Sequence, residues 1–571
     1  MNKLPILVLV AMPLVMAALG REWLYTPIGF LDPWYMVGYF MYYHDPAFLA
    51  DHYKLQRLPW ILSGWALYQL LGAAVANFVL HIGALIASTV LVYLTLARLV
   101  AREAAFIAAA LLTVCIPFHG SGGWDYQTAG AAAFYAAAFY FMTCAAQAAD
   151  PRRSLAYAGA AFAAACFSTI HLVNFLPVLV GLYLAVGERH RGWRGSSLAL
   201  RYGLLGAGAL TALLCLINVV VGRGPFFFWP LLKIVFERLA DPTGQKPWLL
   251  SLSALFDPPS GFLYLIPLLA VLAVSLVRLA LVGAVARLGP VRGLLIGQYV
   301  FVALLSVAWQ AAGHTALWPD YFAHVLFVPA FLAIGGLAGG TPQQDTRLPT
   351  AWLAGGGLLA IVPAVAGMAA SPLQGMAEAV AATAVAVGAV AVLASLSWGK
   401  SFAPAVTCLV AAVSTFIYAQ VAHAGPTYWR SEPCVSRERA YLAIIDMYRA
   451  FRSENPLLWQ TWVWLGPRGE RTFEQGCQFD VQALRRSVHS TGVSSLGHHL
   501  GDRSPQEIPE QQIRHVTNGG LIAVMVQHDK DADGLAERFA ASGRKLTLIR
   551  REVIDLGKVP VVLLLYRSRP A

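Results

Sequence analysis

Residues 79–98, VLHIGALIASTVLVYLTLAR, form an uninterrupted apolar run whose single charged residue, Arg98, stands at its end. A helix of about 20 residues is about 30 Å long, which matches the hydrocarbon core of a membrane. The same composition recurs along the chain, which has 571 residues, of which 58% are hydrophobic and 12% are charged. An ordinary soluble domain has about 25% charged residues. The sequence therefore predicts a polytopic α-helical membrane protein.

Apolar segments of this kind occur thirteen times along the chain. The predicted spans are residues 4–20, 79–98, 103–118, 127–148, 155–170, 171–187, 200–222, 259–279, 293–313, 321–339, 351–370, 378–397 and 402–423. The first span follows Lys3 and has the composition of a secretory signal. The next residues, Arg21-Glu22-Trp23, offer no cleavage site, so we interpret this segment as a retained membrane span.

Basic residues fall mainly in alternate loops, which predicts the orientation of the chain. The residues concerned are Arg98, Arg102, Arg152, Arg153, Arg189, Arg191, Arg194, Arg201, Arg278, Arg287, Arg292, Arg347 and Lys400. Positively charged loops stay in the cytoplasm, so the N-terminus is predicted to be cytoplasmic and the C-terminus extracytoplasmic. The net charge of +11 is thus a topology signal, and no nucleic-acid partner is indicated. We predict an integral protein of a bacterial-type inner or plasma membrane.

The composition changes after residue 423, which divides the chain into two predicted domains. Residues 1–423 form a transmembrane module, and residues 424–571 form a soluble extracytoplasmic α/β domain. Periodicity in the second domain predicts helices Ser436–Ser453 and Asp531–Ser542 and strands Trp459–Leu465, Gly520–Gln527, Lys545–Val553 and Val559–Tyr566. Cys434 and Cys477 could form a disulfide in an oxidising compartment, but a single pair without a spacing signature does not decide this.

The first outward loop, residues 21–78, is far longer than a simple connector, and loops of this length usually serve a function. Two helices that lie in the membrane interface are predicted within it, Pro33–His44 and Pro59–Leu71, and aromatic rings of the first are expected at headgroup level. Lys54 and Arg57 precede the second helix. Cations at this depth suit a lipid phosphate, although general attraction to anionic headgroups would explain them equally.

The candidate site residues lie in the predicted outward loops or, for Tyr321 and His324, at the outward end of the span 321–339. We expect Asp32 and Asp125 to be catalytic, because partial desolvation at the membrane edge suits a carboxylate that abstracts a proton. Helix capping is the alternative, and Asp32-Pro33 fits a helix start. Lys54 and Arg57 are expected to bind phosphate. The expected substrate-binding residues are Tyr35, Trp124, Tyr126, His314, Asp320, Tyr321 and His324. The clustered acids are compatible with a divalent metal ion, but the sequence shows no recognisable set of metal ligands. No other cofactor is indicated.

This layout resembles the GT-C superfamily of integral-membrane glycosyltransferases, which includes protein O-mannosyltransferases and the aminoarabinose transferase of lipid A. Asp32 occupies the position of the first acid in the first outward loop, and Asp125 resembles the second acid in the next one. Arg57-Leu58-Pro59 resembles the basic residue and proline near the end of that loop. Tyr321–Gly335 resembles the tyrosine-rich outward end of a late span. Mannosyltransferases pair the first acid with another acid, whereas here the neighbour is Pro33.

The resemblance implies transfer of a sugar from a polyprenyl-phosphate donor to a hydroxyl group of a lipid, glycan or protein acceptor, with inversion, on the outer face of the membrane. Asp32 would be the general base, and Lys54 and Arg57 would stabilise the departing polyprenyl phosphate. Two alternatives stay open. One is a transporter or flippase, although the spans are nearly free of charge and show no internal repeat. The other is a non-catalytic scaffold for assembly of cell-envelope glycans.

Overall fold

The structure, a computed structural model, describes part of the chain. The described residues are 3–19, 36, 39–40, 43–44, 46, 53–71, 73–115, 118, 127–187, 192–240, 271–272, 275–276, 289–311, 324–338, 460–464, 495–497, 513, 521–526, 532–555 and 560–571. Three predicted spans between residues 351 and 423 lie outside them, as does most of 259–279, so the count of thirteen spans stays a prediction. The chain divides into two compact units. The first unit contains Met1–Thr26, Asp45–Trp60 and Phe78–His423, and the second contains Pro27–His44, Ile61–Asn77 and Ala424–Ala571.

The first unit is a bundle of α-helices, and α2 begins in this unit and continues into the second. The helices are α1 (Leu4–Leu19), α2 (Leu58–Leu71), α3 (Ala73–Leu99), α4 (Arg102–Val114), α5 (Thr128–Gln147), α6 (Arg152–Ser168), α7 (Leu176–Val186), α8 (Trp193–Val220), α9 (Trp229–Ala240), α10 (Pro290–Ala311) and α11 (His324–Ala338). Within the described residues, the segments long and apolar enough to cross a membrane are Phe78–Leu99, Thr128–Gln147, Trp193–Val220 and Pro290–Ala308. Together with the composition, these helices make the chain an integral membrane protein.

Helices α6 and α8 approach closely because glycines line their contact. A Cβ atom added at Gly159 would overlap the backbone of Gly203, and one added at Gly206 would overlap the backbone of Ala156. The other side of α8 is apolar and exposed. Its exposed residues include Leu204, Leu205, Leu213, Leu216 and Val220. In a membrane protein, a helix face of this composition contacts lipid.

One end of the bundle, called the basic end from here on, holds arginines that bind helix termini. Helices α3 and α5 finish together there, because Arg98 donates to Gln147 Oε1 at 3.0 Å and Gln147 Nε2 donates to the Arg98 carbonyl at 3.1 Å. Arg292 donates at 2.9 Å to a main-chain carbonyl in the last turn of α11. In that turn Gly335 lies against Leu96 of α3. The basic end therefore gathers residues from alternate predicted loops.

At the opposite end, called the loop end, α6 and α8 finish and α11 begins. The Phe167 ring in the last turn of α6 lies 5.0 Å from the ring of Phe227, which follows α8. The Phe118 ring, beyond the end of α4, lies 5.7 Å from the ring of Phe327 in the first turn of α11. Aromatic contacts of this length add to the apolar packing of the helix termini.

The backbone changes direction where α6 finishes at the loop end. Thr169 is extended, with φ −145° and ψ 105°, and the short 3-10 helix Ile170–Phe175 then leads into α7. The structure thus confirms the interruption predicted between the apolar segments 155–170 and 171–187.

The second unit contains part of the predicted interfacial helix Pro33–His44. Its fully buried side chains are those of Met36, Tyr39, Phe40 and Tyr43. The Phe40 ring lies 5.3 Å from that of Tyr68 in α2, and the Tyr43 ring lies 6.0 Å from that of Trp65. These rings fill a contact with α2, and the expectation that they lie at headgroup level stays a prediction. Helix α2 itself confirms the second helix predicted in this loop.

The second unit also contains a five-stranded sheet, counted over its described residues. Its strands are β1 (Gln460–Trp464), β2 (Ser495–Gly497), β3 (Leu521–Val526), β4 (Arg544–Asp555) and β5 (Pro560–Pro570), in the order β2-β1-β3-β5-β4. β1 is parallel to β2 and β3, whereas β5 is antiparallel to β3 and β4. The four predicted strands are confirmed, and β2 was not predicted.

A short helix, α12 (Leu535–Ala540), covers one face of this sheet. Its Leu535 and Phe539 form a buried cluster with Val524, Val562 and Leu564 of the sheet. This confirms the helix predicted between β3 and β4. The predicted helix Ser436–Ser453, both cysteines of the suggested disulfide and the domain boundary after residue 423 lie outside the described residues.

Candidate functional site

The two cations predicted to bind phosphate lie together on a short 3-10 helix, Tyr53–Arg57. Lys54 is 1% exposed and Arg57 is 6% exposed. Lys54 Nζ lies 5.6 Å and Arg57 Cζ lies 5.9 Å from the centroid of the Tyr53 ring. These distances are typical of cation–π contacts. The sequence placed both cations at a membrane surface, whereas the structure places them inside the protein.

Trp60 joins this 3-10 helix to the first turn of α5. It follows Arg57 by three residues, in the first turn of α2, and is buried. Its indole covers Gly130 in the first turn of α5, where an added Cβ would lie 2.9 Å from Trp60 Cδ2. The same ring contacts His81 of α3 edge-on, with centroids 5.4 Å apart. Asp125 precedes Gly130 by five residues and lies outside the described residues, so its approach to Trp60 stays a prediction.

A third loop reaches the same 3-10 helix. Helix α9 packs against it, and the turn that leads from α8 to α9 approaches the first loop, since a Cβ added at Gly222 would lie 3.7 Å from Pro46. This turn holds another buried cation, Arg223, which is 6% exposed. The Arg223 amide donates to the Asn218 carbonyl at 2.9 Å, and Asn218 Nδ2 donates to the Gly224 carbonyl at 2.5 Å. Sequence reasoning left Arg223 out of the site, and its only signal was a cation directly after a span.

The other predicted site residues lie outside the described part of the chain. They are Asp32, Tyr35, Trp124, Asp125, Tyr126, His314, Asp320 and Tyr321. His324 begins α11, but only its backbone is described. The structure therefore brings together Lys54 and Arg57, and the placement of the predicted acids stays a prediction. Among the described residues there is no group of three or more His, Cys, Asp or Glu side chains that could hold a metal ion.

Comparison with known proteins gives few matches. No protein family matches the chain, and no curated protein matches it. Among solved structures, the chain is similar to the crystal structure of ArnT from Cupriavidus metallidurans in the apo state. The similarity covers 97% of each chain at 12% sequence identity, with a TM-score of 0.41. A likeness of this degree identifies neither an activity nor the role of any residue.

Proposed function

We propose that the chain is a membrane glycosyltransferase of the GT-C type. It transfers a sugar from a polyprenyl-phosphate donor to an acceptor hydroxyl at the outer face of the membrane. The observation that carries this proposal is the buried pair Lys54 and Arg57, held together on one short helix in the first predicted outward loop. The acceptor is a lipid, a glycan or a protein, and membrane lipids surround the spans.

Burial of the two cations supports a bound phosphate more than a general attraction to headgroups. Lysine and arginine at a membrane surface normally keep their charged ends in water. Lys54 and Arg57 instead lie inside the protein, where charges interact more strongly than in solvent. Arginine and lysine form short charge-assisted hydrogen bonds to phosphate oxygens. The phosphate of a lipid-linked donor fits this environment.

In the proposed reaction Asp32 removes the proton of the acceptor hydroxyl while the hydroxyl oxygen attacks the anomeric carbon. The bond between that carbon and the phosphate oxygen breaks, polyprenyl phosphate leaves with the electron pair, and the configuration inverts. Lys54 and Arg57 stabilise the negative charge on the leaving phosphate. The residues proposed to orient the donor sugar and the acceptor are Tyr35, Trp124, Asp125, Tyr126, His314, Asp320, Tyr321 and His324.

The proposed orientation has the basic end in the cytoplasm and the loop end outside. Arginines at the basic end, among them Arg98 and Arg292, support this orientation, because cytoplasmic ends of spans are enriched in basic residues. Residues 424–571 would then be extracytoplasmic. A lipid-linked donor in the outer leaflet would reach Lys54 and Arg57 from the side on which the acceptor arrives.

The decisive experiment is reconstitution of the full chain in liposomes with a panel of polyprenyl-phosphate sugars and candidate acceptors. We expect release of polyprenyl phosphate for one sugar class, and only when an acceptor hydroxyl is supplied. Movement of donor between leaflets without release would instead identify a flippase. Binding of glycan with neither release nor movement would identify a scaffold.

A further inference from the structure

Gln127 is a buried polar residue directly before α5. Its side chain is 4% exposed, and Oε1 has no hydrogen-bond donor in the described structure. A buried acceptor left without a donor costs about 1–3 kcal/mol. Buried polar groups in native proteins usually have a hydrogen-bond partner from the protein, from water or from a bound molecule. A donor group of a bound molecule would satisfy Gln127 Oε1.

Gln127 lies where the candidate site is assembled. Residues three apart share one face of a helix, so Gln127 shares a face of α5 with Gly130. That face is covered by Trp60, which follows Arg57 by three residues. Asp125, the acid of the second loop, precedes Gln127 by two residues. The amide thus lies at the start of α5, on the side of the helix that Trp60 covers.

A second buried glutamine shows what a structural role looks like in this bundle. Gln298 in α10 is 3% exposed, and its Oε1 also has no donor in the part of the chain that the structure describes. Its Nε2 donates to the Leu295 carbonyl at 3.1 Å and to the Pro329 carbonyl at 2.8 Å, so it joins α10 to α11. Gln298 therefore links two helices, and it serves as a matched control for Gln127.

We propose that Gln127 determines which sugar is used, because its Oε1 accepts a hydrogen bond from one hydroxyl group of the donor sugar. This inference rests on the proposed function. An amide oxygen can pair only with a donor group, so a sugar that lacks this hydroxyl would leave the buried oxygen unpaired. Sites built in this way strongly reject a substrate analogue that lacks the hydroxyl group, because the buried polar group of the protein then loses its hydrogen bond.

The test compares the wild type with Gln127→Leu on the preferred donor and on its monodeoxy analogues. We expect the wild type to use one analogue with kcat/KM about 10- to 100-fold below that of the parent sugar, the range set by one buried hydrogen bond. Gln127→Leu should use that analogue and the parent sugar with similar kcat/KM. A Gln127→Leu enzyme that discriminates as strongly as the wild type would overturn the inference.

Two further variants separate recognition from folding. Gln298→Leu should keep the wild-type discrimination, even if its melting temperature falls. Gln127→Asn keeps an amide but withdraws it by one methylene, so it should lose part of the discrimination in a folded protein. Unchanged discrimination in Gln127→Asn would also count against the inference. If the wild type releases polyprenyl phosphate from no donor, the proposed function fails and the inference fails with it.

Discussion

The two ends of the helix bundle hold positive charge in opposite ways. At the basic end Arg98 and Arg152 are exposed and lie over tyrosine rings, with guanidinium-to-centroid distances of 5.6 Å to Tyr140 and 5.8 Å to Tyr202, respectively, whereas Arg292 is half-buried. At the loop end three cations are buried, at 1% exposure for Lys54 and 6% for Arg57 and Arg223. Both ends carry cations, so charge alone does not distinguish them.

The difference in burial supports the proposal that the chemistry takes place at the loop end. An exposed arginine at a helix terminus costs little and records the orientation of the span. A buried cation is retained only where hydrogen bonds or opposite charge offset its desolvation. Substitutions at the loop end should therefore change substrate use, whereas matched substitutions at the basic end should change little.

The largest expected effect is that of Asp32→Asn, which removes the proposed general base. Removing a general base lowers the rate about 10²- to 10⁴-fold, so sugar transfer in liposomes should be abolished within detection. The control is Asp150→Asn, an exposed acid that lies 3.7 Å from Arg152 at the basic end. Its activity should match the wild type. Sugar transfer retained by purified Asp32→Asn would remove the assignment of this base.

An intermediate effect is expected for Arg57→Ala. Loss of a charge-assisted hydrogen bond, worth about 1.5–3 kcal/mol, should raise KM for the lipid donor about 10- to 100-fold while KM for the acceptor stays near the wild-type value. Arg98→Ala at the basic end should leave both constants unchanged. Initial rates at varied donor and acceptor concentrations measure the two KM values. An equal rise in both would argue against a phosphate at Arg57.

The smallest of these effects is expected for Gly130→Ala, which tests the contact between Trp60 and the first turn of α5. The added Cβ would overlap the Trp60 ring, and overpacking of this kind costs about 1–3 kcal/mol. Transfer should fall several-fold together with the melting temperature. Gly83→Ala is the matched control, because nothing lies within 4 Å of its added Cβ. If both variants behave alike, Trp60 does not set the geometry of the site.

The helices were predictable because membrane span length and apolarity are local properties. The segments 4–20 and 127–148 correspond to α1 and α5, whose apolar sequence is sufficient to identify them. Strand β2 escaped prediction because its three residues, Ser495–Gly497, are too few to show alternation. The contacts of Phe40 and Tyr43 with α2 were not predicted, since composition does not show which helix a ring packs against.

The sequence suggests residues for the candidate site but not their environment. The position of Lys54 and Arg57 in a long loop predicts that they bind phosphate, whereas their burial depends on tertiary packing and was not predicted. The contact of Trp60 with Gly130 joins distant parts of the chain, and no local pattern encodes it. Arg223 was passed over for the same reason. Gln127 lacked a signal because an amide in sequence does not reveal whether its oxygen finds a donor.

Strand β4 lies at the edge of the five described strands, where its outer backbone groups could pair with a second molecule. Leu548 and Val553 of this strand are exposed and would favour such pairing. Charged side chains oppose this pairing, because two paired copies of the strand would bring like charges together. They are Lys545, Arg551 and Arg550, whose side chain lies 3.1 Å from that of Glu552. Neutralising them should turn this edge into a template for aggregation during purification, with no change in the membrane-spanning helices.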